Sequence, residues 1–293
     1  MILEEVRKNK MSSFFIVSIF IIVIMIGVYA ICMYFDLGPL SIVFALAFSI
    51  IPSIISYYNC DKMVLALNGA RPATREQDLL IDTILDNLCI ASGLPKPKLY
   101  VIQDSSLNAF ATGRNPENAV ICLTTGIIEK LDKYELEGVI AHELSHIKNY
   151  DILLSTIVSV FVGLVVILSD FFSRWAFRRT RSDENNKSGA ILALIAIVFI
   201  ILSPIFATLM QLAISRKREY LADASAVEIT RNPQGLIDAL TKISNDDIPL
   251  KTANKSTAHL FIANPFKQKT ERDNLMSTHP STQNRINALR NIK

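Results

Sequence analysis

Phe14–Phe35 runs for about 22 residues without a charged side chain, and this stretch limits the fold more than any other feature. At about 1.5 Å per helical residue it can cross a hydrocarbon layer of about 30 Å. It lacks the short apolar core and small-residue cleavage site of a secretory signal, so it predicts a transmembrane helix. Asp36-Leu37-Gly38-Pro39 predicts a turn. Leu40–Tyr58 is a second apolar block, kinked at Pro52 and anchored at the interface by Tyr57 and Tyr58. Ile152–Ser169 and Ala190–Ser215 are a third and fourth block, the last broken by Pro204. The second pair has an alternative as a buried helical hairpin; length and lack of charge favour the membrane. Overall, 51% of the residues are hydrophobic, an excess concentrated in these blocks.

Between the two pairs lies Leu136–Asp151, LEGVIAHELSHIKNYD, which contains His142-Glu143-Leu144-Ser145-His146. Residues i and i+4 share one helix face, so both imidazoles can reach one metal ion, with Glu143 aimed at a water on it. Leu136, Val139, Ile140, Leu144 and Ile147 form the apolar stripe of that helix, and Ser145 is too small to crowd the site. The plainer alternative is an amphipathic helix that happens to carry two of the chain's four histidines.

The surrounding Asn59–Asp151 reads as a water-soluble domain. Leu80, Ile81, Ile84, Leu85 and Leu88 predict a helix within Thr74–Ala91. Lys98–Gln103, Asn108–Gly113 and Ala119–Thr124 predict strands, the last two separated by a turn at Arg114-Asn115-Pro116. Gly126–Leu131 is a short helix entering the histidine helix through Asp132 or Lys133. Farther on, Arg216–Arg231 is helical and Asn232-Pro233 opens another helix as N-cap and first residue. Asp246–Gln268 is irregular and Pro280–Ile292 forms a last helix. The expected fold is mainly α: an integral membrane protein with four hydrophobic helices and a zincin-like α+β catalytic domain with a small sheet. Its segments are 1–58 (amino-terminal segment and transmembrane hairpin), 59–151 (first catalytic half), 152–215 (second hydrophobic hairpin) and 216–293 (second catalytic half).

Cys32, Cys60, Cys89 and Cys122 show no C-x-x-C spacing and read as buried small hydrophobes in a reducing compartment. A net charge of +3 with no aromatic-interleaved basic patch excludes nucleic acid as a partner.

Two histidines leave a catalytic zinc one protein ligand short, the fourth position being kept for water. Glu219 is the best candidate, because Glu219 and Asp223 form an E-x-x-x-D pair one helical turn apart. Glu219 can then bind the ion while Asp223 accepts the free ring N–H of a ligand histidine. Asn149 is a second candidate behind the ligands. The bland alternative is a solvated charge pair beside Arg216, Lys217 and Arg218.

HELSHIKNYD, two hydrophobic segments, and then SRKREYLADASAVE resemble the HtpX-type membrane zinc metalloproteases, relatives of the CAAX prenyl proteases. NAFATG and the carboxy-terminal THPSTQNR extend the likeness over nearly the whole chain. The resemblance implies one zinc ion per chain on His142, His146 and Glu219, with Glu143 as general base. It implies that His279 and Arg285 stabilise an oxyanion near the zinc. It also implies that the strand carrying Asn108, Ala109, Phe110, Ala111 and Thr112 receives the substrate at its edge. On residues alone, His279 reads as a loop histidine and Arg285 as a solvated arginine; His259 has no partner spacing. Prenyl proteases have more spans, which argues against their substrate class here.

The expected function is zinc-dependent endoproteolysis of membrane or misfolded proteins, a quality-control activity at the lipid bilayer. Zinc would acidify water and polarise the scissile carbonyl, while Glu143 carries the proton to the leaving amine. Two alternatives stay open. One is an intramembrane protease, disfavoured by Asp132, Lys133, Glu135, Glu137, Lys148 and Asp151 around the histidines. The other is a membrane sensor with a structural zinc. Arg7, Lys8 and Lys10 place the amino terminus, and after two spans the catalytic domain, in the cytoplasm of a multi-pass cell-membrane protein. The basic loop Arg174–Lys187 opposes a fully crossing second hairpin; the expectation here is nevertheless that it crosses.

Overall fold

The computed structural model of the chain describes residues 2–34, 38–163, 216–266 and 280–292. The fourth apolar block, the end of the third, the basic loop and His279 lie outside the described residues.

Two helices open the chain, α1 (Ile2–Tyr34) and α2 (Leu40–Tyr58), and they pack on each other. Val6–Ile26 and Leu40–Tyr58 are each long and apolar enough to cross a membrane. Only 24% and 28% of those windows are buried, so these are not core helices of a soluble body. Phe14, Phe48 and Ile54 point outward. The buried residues of α2 are Ser41, Ala45, Ser49, Ser53 and Ser56, a stripe of small side chains that permits close helix approach. The hydroxyls of Ser49 and Ser53 are satisfied by carbonyls of their own helix.

Beyond α3 (Cys60–Leu67), a four-stranded sheet is built from β1 (Arg71–Pro72), β2 (Lys98–Ile102), β3 (Ala109–Gly113) and β4 (Ala119–Thr124). The order is β1-β2-β4-β3, with β2 and β4 parallel and the other two pairings antiparallel. Neither α3 nor β1 was expected from the sequence, since both are too short to show a period. Alternation along β3 and β4 turns Ala109, Ala111, Ile121 and Leu123 to one face and Phe110, Val120 and Cys122 to the other. The first face is covered by α4 (Arg75–Ser92) and α6 (Lys133–Lys148), the histidine helix; α5 (Thr125–Lys130) leads into it from β4. The opposite face is covered by α3 and by α7 (Asp151–Gly163), which also packs on α1.

That placement bears on the expectation of four spans. Among the described residues two helices, not four, meet the length and hydropathy of a span. The described part of the third block is core: Leu154, Ile157, Val158 and Phe161 are buried, and Phe161 stacks on Phe20 at 3.8 Å. An uncharged helix suits a sheet face as well as a bilayer.

Helix α6 starts at a capping box. Asp132 Oδ1 accepts from the backbone N–H groups of Tyr134 and Glu135 at 2.9 and 3.0 Å, and Glu135 Oε2 accepts from Asp132 N at 2.8 Å. Its flanks are α8 (Arg216–Thr230) and α9 (Pro233–Asn245); α10 (Thr282–Arg290) closes the chain against both. Asn232 stands at the N-cap of α9 as expected, with Pro233 at the first helical position, but its side chain makes no capping hydrogen bond. Helices α6 and α9 cross at two glycines. A Cβ on Gly138 would lie 2.7 Å from Leu236 N, and one on Gly235 would lie 2.4 Å from Tyr134 O. Gly235→Ala should therefore push the helices apart and cost about 1–3 kcal/mol, the usual penalty of overpacking. A melting temperature equal to wild type would contradict the close crossing.

Candidate metal centre

His142 and His146 leave α6 on one face with their Nε2 atoms 3.2 Å apart and their rings perpendicular. From α8, Glu219 places Oε1 3.6 Å from His146 Nε2 and Oε2 3.8 Å from His142 Nε2. Ligands about 2.0–2.1 Å from a tetrahedral ion are about 3.3 Å apart, so two imidazoles and a carboxylate stand at close to the needed spacing. Among the described residues, these three form the group able to hold a metal.

Each histidine is held from behind by a carboxylate. Asp223 Oδ1 lies 2.9 Å from His142 Nδ1. The same carboxylate is gripped by Arg285, whose Nε donates to Oδ2 at 2.9 Å and whose Nη2 donates to Oδ1 at 2.7 Å. Arg285 is only 1% exposed; its Nη1 donates to Ile262 O at 2.9 Å and sits 3.4 Å from Glu219 Oε2. It thus stands behind the ligands as the buried counter-charge of Asp223, with its donors directed at protein acceptors.

Asp151 performs the matching task for His146, with Oδ2 3.1 Å from Nδ1. The sequence reading missed this residue. It lies five positions past His146, off the ligand face of an unbroken helix. Tyr150 adopts φ 58°, which breaks the helix and swings Asp151 back under the ring. A charged residue opening an apolar block was the available signal. Asn149 contributes through its backbone instead: its N–H donates to Ser145 O, ending α6, and its carbonyl accepts from Asn9 Nδ2 at 2.9 Å. Asn9 also donates to Asp151 Oδ1 at 2.7 Å. A buried amide from α1 therefore reaches the carboxylate that holds the candidate ligand His146.

Glu143 is buried beside the Ala111 backbone of β3, whose N–H favours the carboxylate form against the burial. Burial, with the charge of Glu219 adding to it, pushes its pKa up to about 7. Burial and the Arg285 guanidinium hold His142 below its ordinary value, against the pull of Asp223. Burial alone would also lower His146, but the Asp151 hydrogen bond and the charge of Glu219 overcome it and carry it to about 9. The carboxylates that favour a proton on His146 favour any cation between the rings.

Strand β3 lies at the sheet edge. Thr124 N donates to Asn108 O, which fixes Phe110 and Thr112 as the residues bonded to β4 and turns the N–H and C=O of Ala109, Ala111 and Gly113 outward. Part of that edge is engaged. Ile262 N donates to Ala109 O at 2.9 Å, Phe261 bridges Phe110, and Gly113 N donates to Thr156 Oγ1 at 3.2 Å. Asn108 ties the same loop down, its amide donating to Ala263 O at 3.0 Å. Ala111 is the outward residue beside Glu143.

Removing Glu219 should cost metal affinity far more than removing either carboxylate behind the histidines, where losses of about 10–100-fold are typical. Asp151→Ala is the cleaner test, because Asp223→Ala also strands the buried Arg285 charge. Chelator competition with metal analysis gives the order; a larger loss for Asp151→Ala than for Glu219→Ala would exchange their roles.

The chain matches Peptidase family M48 over residues 75–293. It is 44% identical over 290 residues to a protein named protease HtpX homolog from Dictyoglomus thermophilum, covering 98% of this chain and 93% of that one. A homolog of the same name from Listeria monocytogenes serotype 4a is 40% identical over 305 residues, covering all of both. In fold the chain is similar to the crystal structure of S. mikatae Ste24p, with a TM-score of 0.52 at 20% identity. That likeness covers 90% of this chain and 62% of the other. A histidine pair with its intervening glutamate on α6 and a candidate third ligand on α8 are thus set in a sequence whose full-length relatives are proteases, and this chain belongs to peptidase family M48, among its HtpX-type metallopeptidases.

Proposed function

We propose that the chain is a zinc-dependent endopeptidase cleaving membrane or misfolded proteins at the cytoplasmic surface of the cell membrane. The observation that carries this reading is the convergence of His142, His146 and Glu219 beside Glu143 and the outward backbone of Ala111. Two imidazoles and one carboxylate form a known catalytic zinc set, and a zinc ion there supplies Lewis acidity for water and carbonyl. Glu143 accepts the proton of the attacking water and returns it to the leaving amine, and its burial raises its proton affinity above that of an exposed carboxylate. Asp151 and Asp223 hold the imidazole tautomers that direct both Nε2 atoms at the ion. Arg285 acts by fixing Asp223 and Glu219, while His279, just before Pro280, is assigned to the oxyanion.

The substrate lies extended along β3 between Ala109 and Thr112 and adds itself as a strand. Ala111 is the pairing residue, its N–H and C=O turned outward from the sheet toward the substrate backbone. Pairing beyond Ala109 requires the Phe261–Ala263 loop to give way. Recognition through backbone groups implies broad sequence preference. The closeness of the site to the bilayer is supported by Asn9, which joins the start of the first span window to Asp151. Arg7, Lys8 and Lys10 at that end support a cytoplasmic location.

Two measurements test the reading. Glu143→Gln should retain zinc but lose cleavage of casein by the detergent-purified chain, as the wild type should on chelation; substantial turnover at unchanged zinc content removes Glu143 from the mechanism. Ala111→Pro removes the outward N–H, and a folded, zinc-loaded variant should cleave poorly. If it cleaves as well as wild type, the substrate does not pair at Ala111.

A further inference from the structure

A cavity of about 480 Å³ lies between the first turns of α1, the last turn of α2, the β3–β4 turn and the start of α7. That volume falls in the range of about 300–1,000 Å³ usual for small-molecule sites. Its walls divide sharply by chemistry. Lys10 and Arg114 stand as cations, while Phe14, Val17, Leu153 and Ile157 form an apolar lining. No carboxylate lines it among the described residues. Both cations are set in place by aromatic rings. Lys10 Nζ lies 4.0 Å from the centroid of Tyr150, and the Arg114 guanidinium 5.4 Å from that of Tyr58, with Nη1 donating to Tyr58 O at 3.2 Å.

Position identifies the occupant. The cavity joins the beginning of one candidate span to the end of the other, so on the membrane reading above, on which this inference rests, it sits at the headgroup level of one leaflet. Phe14 is 66% exposed and continues the apolar wall onto the lipid-facing surface. A soluble anion would use the cations and leave the apolar wall without a role. A neutral lipid would use the wall and leave two cations without a counter-charge.

We propose that this cavity binds one anionic phospholipid, with its phosphate between Lys10 and Arg114 and an acyl chain along Phe14, Val17, Leu153 and Ile157. The lipid bridges α1, α2 and α7 beside Tyr150, the residue preceding Asp151, and so fastens the spans to the metal-bearing domain.

The test uses the full chain in detergent, titrated with phosphatidylglycerol or phosphatidylcholine of identical acyl chains and read by native mass spectrometry. Lys10→Gln/Arg114→Gln should weaken the first phosphatidylglycerol about 25-fold, the product of roughly fivefold for each cation near an anionic lipid. Arg7→Gln/Lys8→Gln removes the same charge from exposed residues at the same end of α1 but outside the cavity, and should bind as wild type. Equal weakening by both pairs would mean diffuse attraction and overturn the site. So would unchanged affinity in the cavity variant, equal binding of the two lipids by wild type, or displacement of phosphatidylglycerol by millimolar inorganic phosphate. If the double variant does not fold, Lys10→Gln alone carries the test, with about a fivefold loss expected. Alkaline extraction of native membranes separates the two readings. Release of the chain sinks the membrane reading; retention with unchanged phosphatidylglycerol affinity in the variant sinks the lipid site alone.

Discussion

Four carboxylates are brought together around the histidine pair: Glu143, Glu219, Asp223 and Asp151. Everything else at the centre answers the electrostatic problem this creates. Carboxylates taken out of water repel one another strongly unless positive charge is close. Arg285 meets Asp223 with a two-point fork and leans on Glu219, and Arg218 lies 3.5 Å from Asp151. What remains is the space between two Nε2 atoms and Glu219. Burial raises Glu143, and the neighbouring carboxylates raise His146, so the site takes up protons where no other cation is present. A divalent ion between the rings meets the same demand without protonating a ligand.

That arrangement needs α6 to be held rigidly, and the packing supplies this. One end is fixed by the Asp132–Glu135 capping box, which Lys242 of α9 extends by an ion pair at 2.7 Å to Glu135. The middle is clamped where Gly138 and Gly235 allow backbone against backbone. The ligand end is fixed by Asn149 and by the turn at Tyr150. Because α8 and α9 both pack on α6, Glu219 cannot shift against the histidines without disturbing the core beneath them. A ligand set positioned by packed helices is more precise than one positioned on loops.

How much of this was legible in the sequence follows from range. The histidine pair and the E-x-x-x-D pair are helical spacings, so their geometry was readable from a few neighbouring residues. The strands β2, β3 and β4 were readable from alternation bounded by turns. Asp151 was not, because its place depends on a left-handed residue at Tyr150, a conformation unusual for a bulky side chain and therefore not foreseeable from local pattern. Arg285 looked like a surface arginine, because nothing near it in sequence marks burial; its partners Asp223 and Ile262 are 62 and 23 residues away. For α7 the difficulty is different in kind. An uncharged helix is equally suited to lipid and to a sheet face, and only the presence of that face decides.

Asn9 shows how the two halves of the protein come to depend on each other. A buried amide on a helix otherwise suited to lipid is costly unless satisfied; here Nδ2 is shared between Asn149 O and Asp151 Oδ1, while Asn9 Oδ1 is buried without a hydrogen-bond partner among the described residues. The second of those bonds lies one carboxylate away from His146. A shift of α1 relative to the soluble domain must break these bonds or carry Asp151 with it, and Asp151 cannot move without turning the His146 ring. The geometry of the metal centre is thereby tied to the seating of the first hydrophobic helix. The coupling needs no moving part: it follows from placing one polar residue on an apolar helix opposite the carboxylate that orients a ligand.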